Sequence, residues 1–254
     1  MLKILAAVLM LVDHIGLVFF PHQLWLRMIG RLSMPLFAYA IATGYYFTAR
    51  ADAQANAAKA QSGELTLAEN ETTPRFGRFP KYLLTMAVFA LVSQIPFQMM
   101  RESAHITSFG LNIGFTWTLA LAVLHGVFSR KLLWQFAALL AVIAAWQIPM
   151  DYRIYGILYP LACYPIVRAI HARTDSNGEK ATAPLGYLWG ALGQIGVNLM
   201  GLFVLGFWQF QALALVSMPL MALDKGRKSR ITKWFFYVFY PAHMLLLALL
   251  ARWA

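Results

Sequence analysis

The sequence predicts an all-α, polytopic integral membrane protein of about nine transmembrane helices, with its N-terminus in the cytoplasm. Three observations carry this. Of 254 residues, 60% are hydrophobic and only 12% charged, against roughly a quarter charged in an average soluble domain. Mean hydropathy is +0.60, and the apolar residues gather in runs of roughly 20, the length that crosses about 30 Å of hydrocarbon as a helix. Sixteen of the 21 Lys and Arg residues fall on one side of those runs, which marks that side as cytoplasmic. An ordinary cytosolic enzyme, a disordered chain and a secreted disulfide scaffold are excluded. The single cysteine, Cys163, has no partner for an internal disulfide. One domain, 1–254, accounts for the length.

In order, the spans are expected near 2–20, 24–48, 81–100, 110–128, 132–149, 154–170, 184–205, 208–223 and 232–251. If 184–223 were one helix, the count would be eight. The first run follows Lys3 as a secretory signal would, but it has no small-residue cleavage pattern and Asp13-His14 interrupts it, so it is expected to be retained. The second is separated from it by a short hairpin near His22. Residues 51–74, rich in Ala, Gln, Glu and Thr, are expected to form a flexible cytoplasmic loop. The minority cations, Arg27, Arg31, Arg101, Arg153 and Arg252, lie on the outer side. The net charge of +11 is therefore mostly topology, and no nucleic-acid partner is expected. Trp25, Trp146 and Trp234 sit near span ends as interfacial anchors facing membrane lipid.

The informative residues are those a bilayer excludes. An ionisable group near the membrane centre costs roughly 2.5–3.5 kcal/mol and needs a partner or a wet cavity. Asp13 and His14 lie about two-thirds along span one. Arg27 and Arg31 share a face of span two at i, i+4 spacing. Asp13 and Arg31 are equidistant from the hairpin, which predicts an ion pair between them and leaves His14 free for chemistry. Gln94, Asn198 and His243 fall roughly 17–21 Å from the cytoplasmic ends of their spans at 1.5 Å per residue, the same slab as His14. Asn112, Thr116 and Asp151-Tyr152-Arg153 lie further out. Such convergence predicts an internal polar cavity, although Asn, Gln and Thr also serve as interhelical hydrogen-bond glue worth roughly 0.6 kcal/mol each. No metal-ligand spacing occurs, and neither phosphate-cradling glycine loops nor a nucleophile elbow is present.

Seven blocks in order also resemble a known family. They are Leu9-Met10-Leu11-Val12-Asp13-His14-Ile15-Gly16, the run from Arg27 to Phe37, Lys81-Tyr82-Leu83-Leu84, Ser93-Gln94-Ile95-Pro96-Phe97, Asn112-Ile113-Gly114-Phe115-Thr116, Asp151-Tyr152 with Tyr155-Gly156-Ile157-Leu158, and Phe236 to His243. This pattern is similar to that of the TraX family, pilin acetylases of conjugative plasmids grouped with acetyl-CoA-dependent transmembrane acyltransferases. Two departures stand out: Arg153 replaces the glycine that follows Asp-Tyr in the family pattern, and the insert at 51–74 is longer.

The resemblance implies a bacterial inner-membrane enzyme that moves an acetyl group from acetyl-CoA to an acceptor, the N-terminal amine of a pilin subunit. An imidazole titrating near neutral pH suits the base, which points to His14; Asp13 either orients it or pairs with Arg31. Oxyanion donors would be Asn198, Gln94 or Arg31. The phosphates of acetyl-CoA would meet Arg75, Arg78 and Lys81, and the acceptor would enter past Arg27, Asn112 and Asp151. His243 is a further contact. A small transporter or flippase, or a non-catalytic pilus or secretion assembly factor, are the competing classes. Paired repeats typical of many transporters are absent.

Overall fold

The computed structural model describes residues 2–61, 77–129, 131–172, 183–203, 211–224 and 233–253. Among these the fold is all-helical, with ten α-helices, one 3-10 turn and a single isolated bridge, Leu111 to Met150. The helices are α1 (Leu2–Phe19), α2 (Leu24–Gly30), α3 (Ser33–Gln61), α4 (Arg78–Ser103), α5 (Ile113–Phe128), α6 (Leu132–Gln147), α7 (Arg153–Ala172), α8 (Ala183–Phe203), α9 (Ser217–Ala222) and α10 (Lys233–Ala251). Three helices are long and apolar enough to cross a membrane, namely α1, α4 and the Trp234–Ala251 part of α10. Helices α5 and α6 are apolar but shorter.

Three expected elements differ. The second span is not continuous: α2 ends at Gly30 and α3 begins at Ser33. Pro35 accounts for the break, since it has no N–H to bond the Arg31 carbonyl and its ring crowds that carbonyl, while Gly30 at the end of α2 lies so close to Asp13 that a Cβ there would clash with it. Helix α2 thus presses on α1 at a point where only glycine fits, and α3 starts afresh beyond it. The loop expected over 51–74 is helical as far as Gln61. Its alanine-rich stretch has the highest intrinsic helix propensity, and residues 62–76 lie outside the described part. Asp52 on this extension accepts hydrogen bonds from the main-chain N–H groups of Arg78 (2.8 Å) and Phe79 (3.0 Å), satisfying donors at the start of α4. Over its described part, the span expected at 208–223 is the 3-10 turn Gln211–Val216 followed by the six-residue α9, roughly 20 Å in all and short of a bilayer.

Two apolar cores organise the bundle. The larger gathers Leu36, Tyr45, Leu121, Tyr155 and Ile157 from α3, α5 and α7. The smaller joins Met10, Phe97, Met100, Tyr240 and Met244 from α1, α4 and α10. Large apolar side chains also face outward: Leu133 on α6 is 77% exposed and Ile95 on α4 is 71% exposed, with Leu84, Leu91, Leu140 and Val238 also uncovered. Water does not support an apolar surface of that extent, and a membrane does.

Candidate functional site

Between the two cores lies a cavity of about 260 Å³. Helix α1 supplies Lys3, Met10, His14 and Leu17 to its wall, residues spaced by two, three and four helical turns, so they form one stripe. Asp13 lies beside that stripe. From Lys3 to Leu17 the stripe runs about 21 Å, and on α4 the lining from Tyr82 to Arg101 runs about 28 Å. The cavity therefore extends along most of the bundle's height. Phe37, Phe89, Phe97, Phe239 and Tyr240 make its walls largely aromatic.

At mid-height, His14 Nδ1 stands 2.8 Å from His243 Nε2. The rings are nearly parallel, at 7°, with centroids 5.0 Å apart. So short an N···N contact at that centroid separation requires the rings to lie edge to edge in almost one plane, with the hydrogen bond in that plane. His243 Nδ1 is 2.7 Å from the carbonyl oxygen of Phe239. A carbonyl can only accept, so His243 Nδ1 carries a proton. Neutral His243 then presents a lone pair at Nε2, and His14 Nδ1 must donate to it. What remains is His14 Nε2, unprotonated on a residue that lines the cavity. The tautomer required of a general base is set by a helix carbonyl two hydrogen bonds away. Phe239 also stacks on His243, with centroids 4.9 Å apart, and holds its ring plane.

The ion pair expected between Asp13 and Arg31 is not formed. Asp13 Oδ2 instead pairs with Arg27 at 3.3 Å, and Arg27 also reaches the Asp13 carbonyl at 3.4 Å. The cause is the Gly30 contact: with Asp13 pressed against Gly30, the residue three positions earlier on α2 lies on the same face and reaches back. Arg31 donates to the hydroxyl of Tyr152 at 3.1 Å. Asp13 Oδ1 is buried and accepts no hydrogen bond.

In the sequence Tyr152 is part of the polar Asp151-Tyr152-Arg153 turn, with no site role assigned to it. It sits in the turn between α6 and α7, which is clamped to the start of α5. Leu111 N–H donates to Pro149 O, Asp151 N–H to Leu111 O, and Thr116 Oγ1 to Asp151 O at 2.6 Å. Tyr152 and Arg153 there have φ of 61° and 45°, the left-handed region that L residues other than glycine rarely adopt. This explains why a glycine suits the position after Asp-Tyr. Asp151 lines the cavity, and burial pushes its carboxyl up to about 6, against the opposing pull of Arg101 and Arg31.

The remaining expected site residues separate into three groups. Gln94 and Asn112 are hydrogen-bonded to each other: Asn112 Nδ2 donates to Gln94 Oε1 (2.9 Å) and to Ala90 O (2.7 Å), while Asn112 Oδ1 caps α5 through Gly114 N–H. They tie α4 to α5 and do not reach the cavity wall. Asn198 belongs to a second buried network on α7 and α8, accepting from Tyr155 (3.1 Å) and donating to Gln194 O (2.7 Å) and Tyr159. Equal depth thus did not mean a shared site, because depth says nothing about the direction a helix face points. Of the proposed phosphate contacts, Arg75 lies outside the described residues, and Arg78 and Lys81 are off the cavity wall, where Lys3 and Tyr82 stand instead. Lys3 was legible, since it lies three turns before His14 on one face. Arg101, a minority cation, also lines the cavity and was missed.

Among the described residues no group of three or more His, Cys, Asp or Glu side chains could hold a metal ion. No curated protein and no solved structure matches the chain. The family model described as "TraX protein" matches residues 1–251, and the chain belongs to that family.

Proposed function

We propose that the protein is a membrane acetyltransferase that takes acetyl from cytoplasmic acetyl-CoA and passes it to the N-terminal amine of a conjugative pilin subunit, in a bacterial inner membrane. Membership of the TraX family supports a role in conjugative pilus processing. The observation that carries the chemistry is the chain from the Phe239 carbonyl through His243 to His14, which leaves His14 Nε2 as a free base on the cavity wall.

In this reading the acceptor nitrogen attacks the thioester carbonyl carbon. A C–N bond forms, and the amine proton passes to His14 Nε2 as it does so. The charge that develops on imidazole is shared with His243 through the in-plane hydrogen bond. The tetrahedral oxyanion would be met by Arg31 and the hydroxyl of Tyr152, which line the same cavity; that hydroxyl accepts from Arg31 and keeps its own proton to donate. Collapse breaks the C–S bond, and the leaving thiolate takes the proton back from His14 as free CoA. The aromatic passage suits the thin pantetheine arm, with the phosphates left at the end marked by Lys3 and Tyr82. Asp13 and Arg27 fix the α1–α2 contact and are positioning residues.

The test is CoA release by the purified protein at saturating acetyl-CoA, with and without a pilin N-terminal peptide. His14→Ala should lose roughly 10²–10⁴-fold in turnover, with CoA affinity nearly unchanged. If His14→Ala keeps turnover while His243→Ala is dead, the base is on α10. If both stay active, the transporter or assembly-factor readings replace this one.

A further inference from the structure

Three guanidinium groups stand at the end of the cavity opposite Lys3, and they are unequally compensated. Arg27 is paired with Asp13. Arg31 donates to a neutral phenol, Tyr152. Arg101 donates to the carbonyl (3.0 Å) and hydroxyl (2.9 Å) of Ser108, both neutral, and its Nε is buried without a hydrogen-bond partner. All three line the same cavity, where, among the described residues, Asp151 is the only other carboxylate on the wall. The count at this end is three cations against two anions. Helix α3 also begins here, at the buried, cavity-lining Ser33, and a helix start adds partial positive charge. Aromatic neighbours such as Phe97, over whose ring Arg101 lies at 5.5 Å, keep the local dielectric low and the field strong.

The geometry points to an oxyanion-binding subsite, formed by Arg31, Arg101 and the start of α3, for a carboxylate or phosphate group carried by the acceptor. A planar guanidinium with unused N–H donors is matched to such groups. The assignment to the acceptor rests on the acetyl-transfer reading: a donor whose phosphates stay near Lys3 is about 20 Å or more from Arg101 along either α1 or α4. The same positive field disfavours an ammonium and holds an incoming amine in its neutral, nucleophilic form, while the anionic group anchors the molecule.

Equilibrium binding tests the subsite without requiring turnover. Succinate and inorganic phosphate are titrated calorimetrically into the full chain in detergent micelles, with CoA in a parallel titration. Saturable binding of at least one small anion is expected, weakened at least tenfold in Arg31→Gln and in Arg101→Gln. Arg168→Gln, an exposed cation away from the cavity, should bind as the parent does, and CoA affinity should change less than twofold in all three. Should Arg31→Gln fail to fold, Arg101→Gln decides alone, since its hydrogen bonds are confined to the adjoining loop. Small-anion binding that is absent, or unchanged in Arg101→Gln, overturns the subsite. Loss of CoA affinity in Arg101→Gln with no small-anion binding assigns the charge to the donor and overturns the acceptor. An absence of CoA release would remove the acetyl-transfer reading and leave the anion titration standing.

Discussion

At the residue scale, the chemistry hangs on where two protons sit. Phe239 O dictates the proton on His243, and His243 dictates the one on His14. A glutamine at position 243 can still accept from His14 Nδ1, whereas alanine cannot. His243→Gln should therefore retain at least ten times the turnover of His243→Ala in the CoA-release assay, and equal loss in both would mean that His243 does not act through His14. Both histidines were visible in the sequence as imidazoles at one depth; their contact was not, because it depends on how α1 and α10 are rotated. Asp13 shows the same limit. Equidistance from the hairpin selected Arg31, but the close approach at Gly30 gave the carboxylate to Arg27. Removing one partner of a buried pair costs about 3–5 kcal/mol. Asp13→Asn and Arg27→Met should each lower the thermal stability of the purified protein, and the double variant should recover much of the loss. Losses that simply add would show that the two residues do not interact.

At the scale of elements, the turn between α6 and α7 concentrates the unusual features. Arg153 holds φ at 45°, a conformation that costs an L residue about 1–2 kcal/mol, and its guanidinium bonds Trp146 O at 3.0 Å. Arg153→Gly should stay within about 1 kcal/mol of the parent, the relief of strain offsetting the lost bond and the added chain entropy. Arg153→Val, β-branched at positive φ, should unfold at clearly lower temperature than Arg153→Gly. In the same turn, Asp151 has its carboxyl raised to about 6 from the ordinary 3.8. Between these values the folded state binds more protons than the unfolded one, so this group's contribution to stability is complete below 3.8 and is lost as pH rises through 6. Asp151→Asn should thus have a higher Tm than the parent above pH 6, with the gap closing near pH 4. A gap that is the same at both pH values would contradict the burial of this carboxyl. The break between α2 and α3 lies between Gly30 and Pro35, a glycine and a proline that cannot donate to the Arg31 carbonyl; the signal was present in the sequence, and the expected span ran through it because hydropathy does not register it.

At the scale of the whole molecule, composition and apolar runs were enough for the all-α class and for helices α1, α4 and α10 of spanning length. The ends of elements were less legible, since a hydropathy run stops where lipid stops and a helix such as α3 does not. Sixteen basic residues on one side against five on the other predict nine crossings with the N-terminus inside, the eighth of which the 3-10 turn and α9 are too short to make by themselves. Reporter fusions after Lys225 should read cytoplasmic and fusions after Ala254 external; a cytoplasmic result at both removes a span.

A passage reaching from Lys3 to Arg101 through most of a membrane protein carries a liability, which is leakage. Hydronium and metal cations are driven inward by the membrane potential, at about 2.3 kcal/mol per charge for each 100 mV. Fixed guanidinium charge in a narrow pore repels such ions, as it does in channels that exclude them. On the acetyl-transfer reading, the guanidinium charge of Arg27, Arg31 and Arg101 that would hold an anionic group in place would also turn cations back from that end of the cavity.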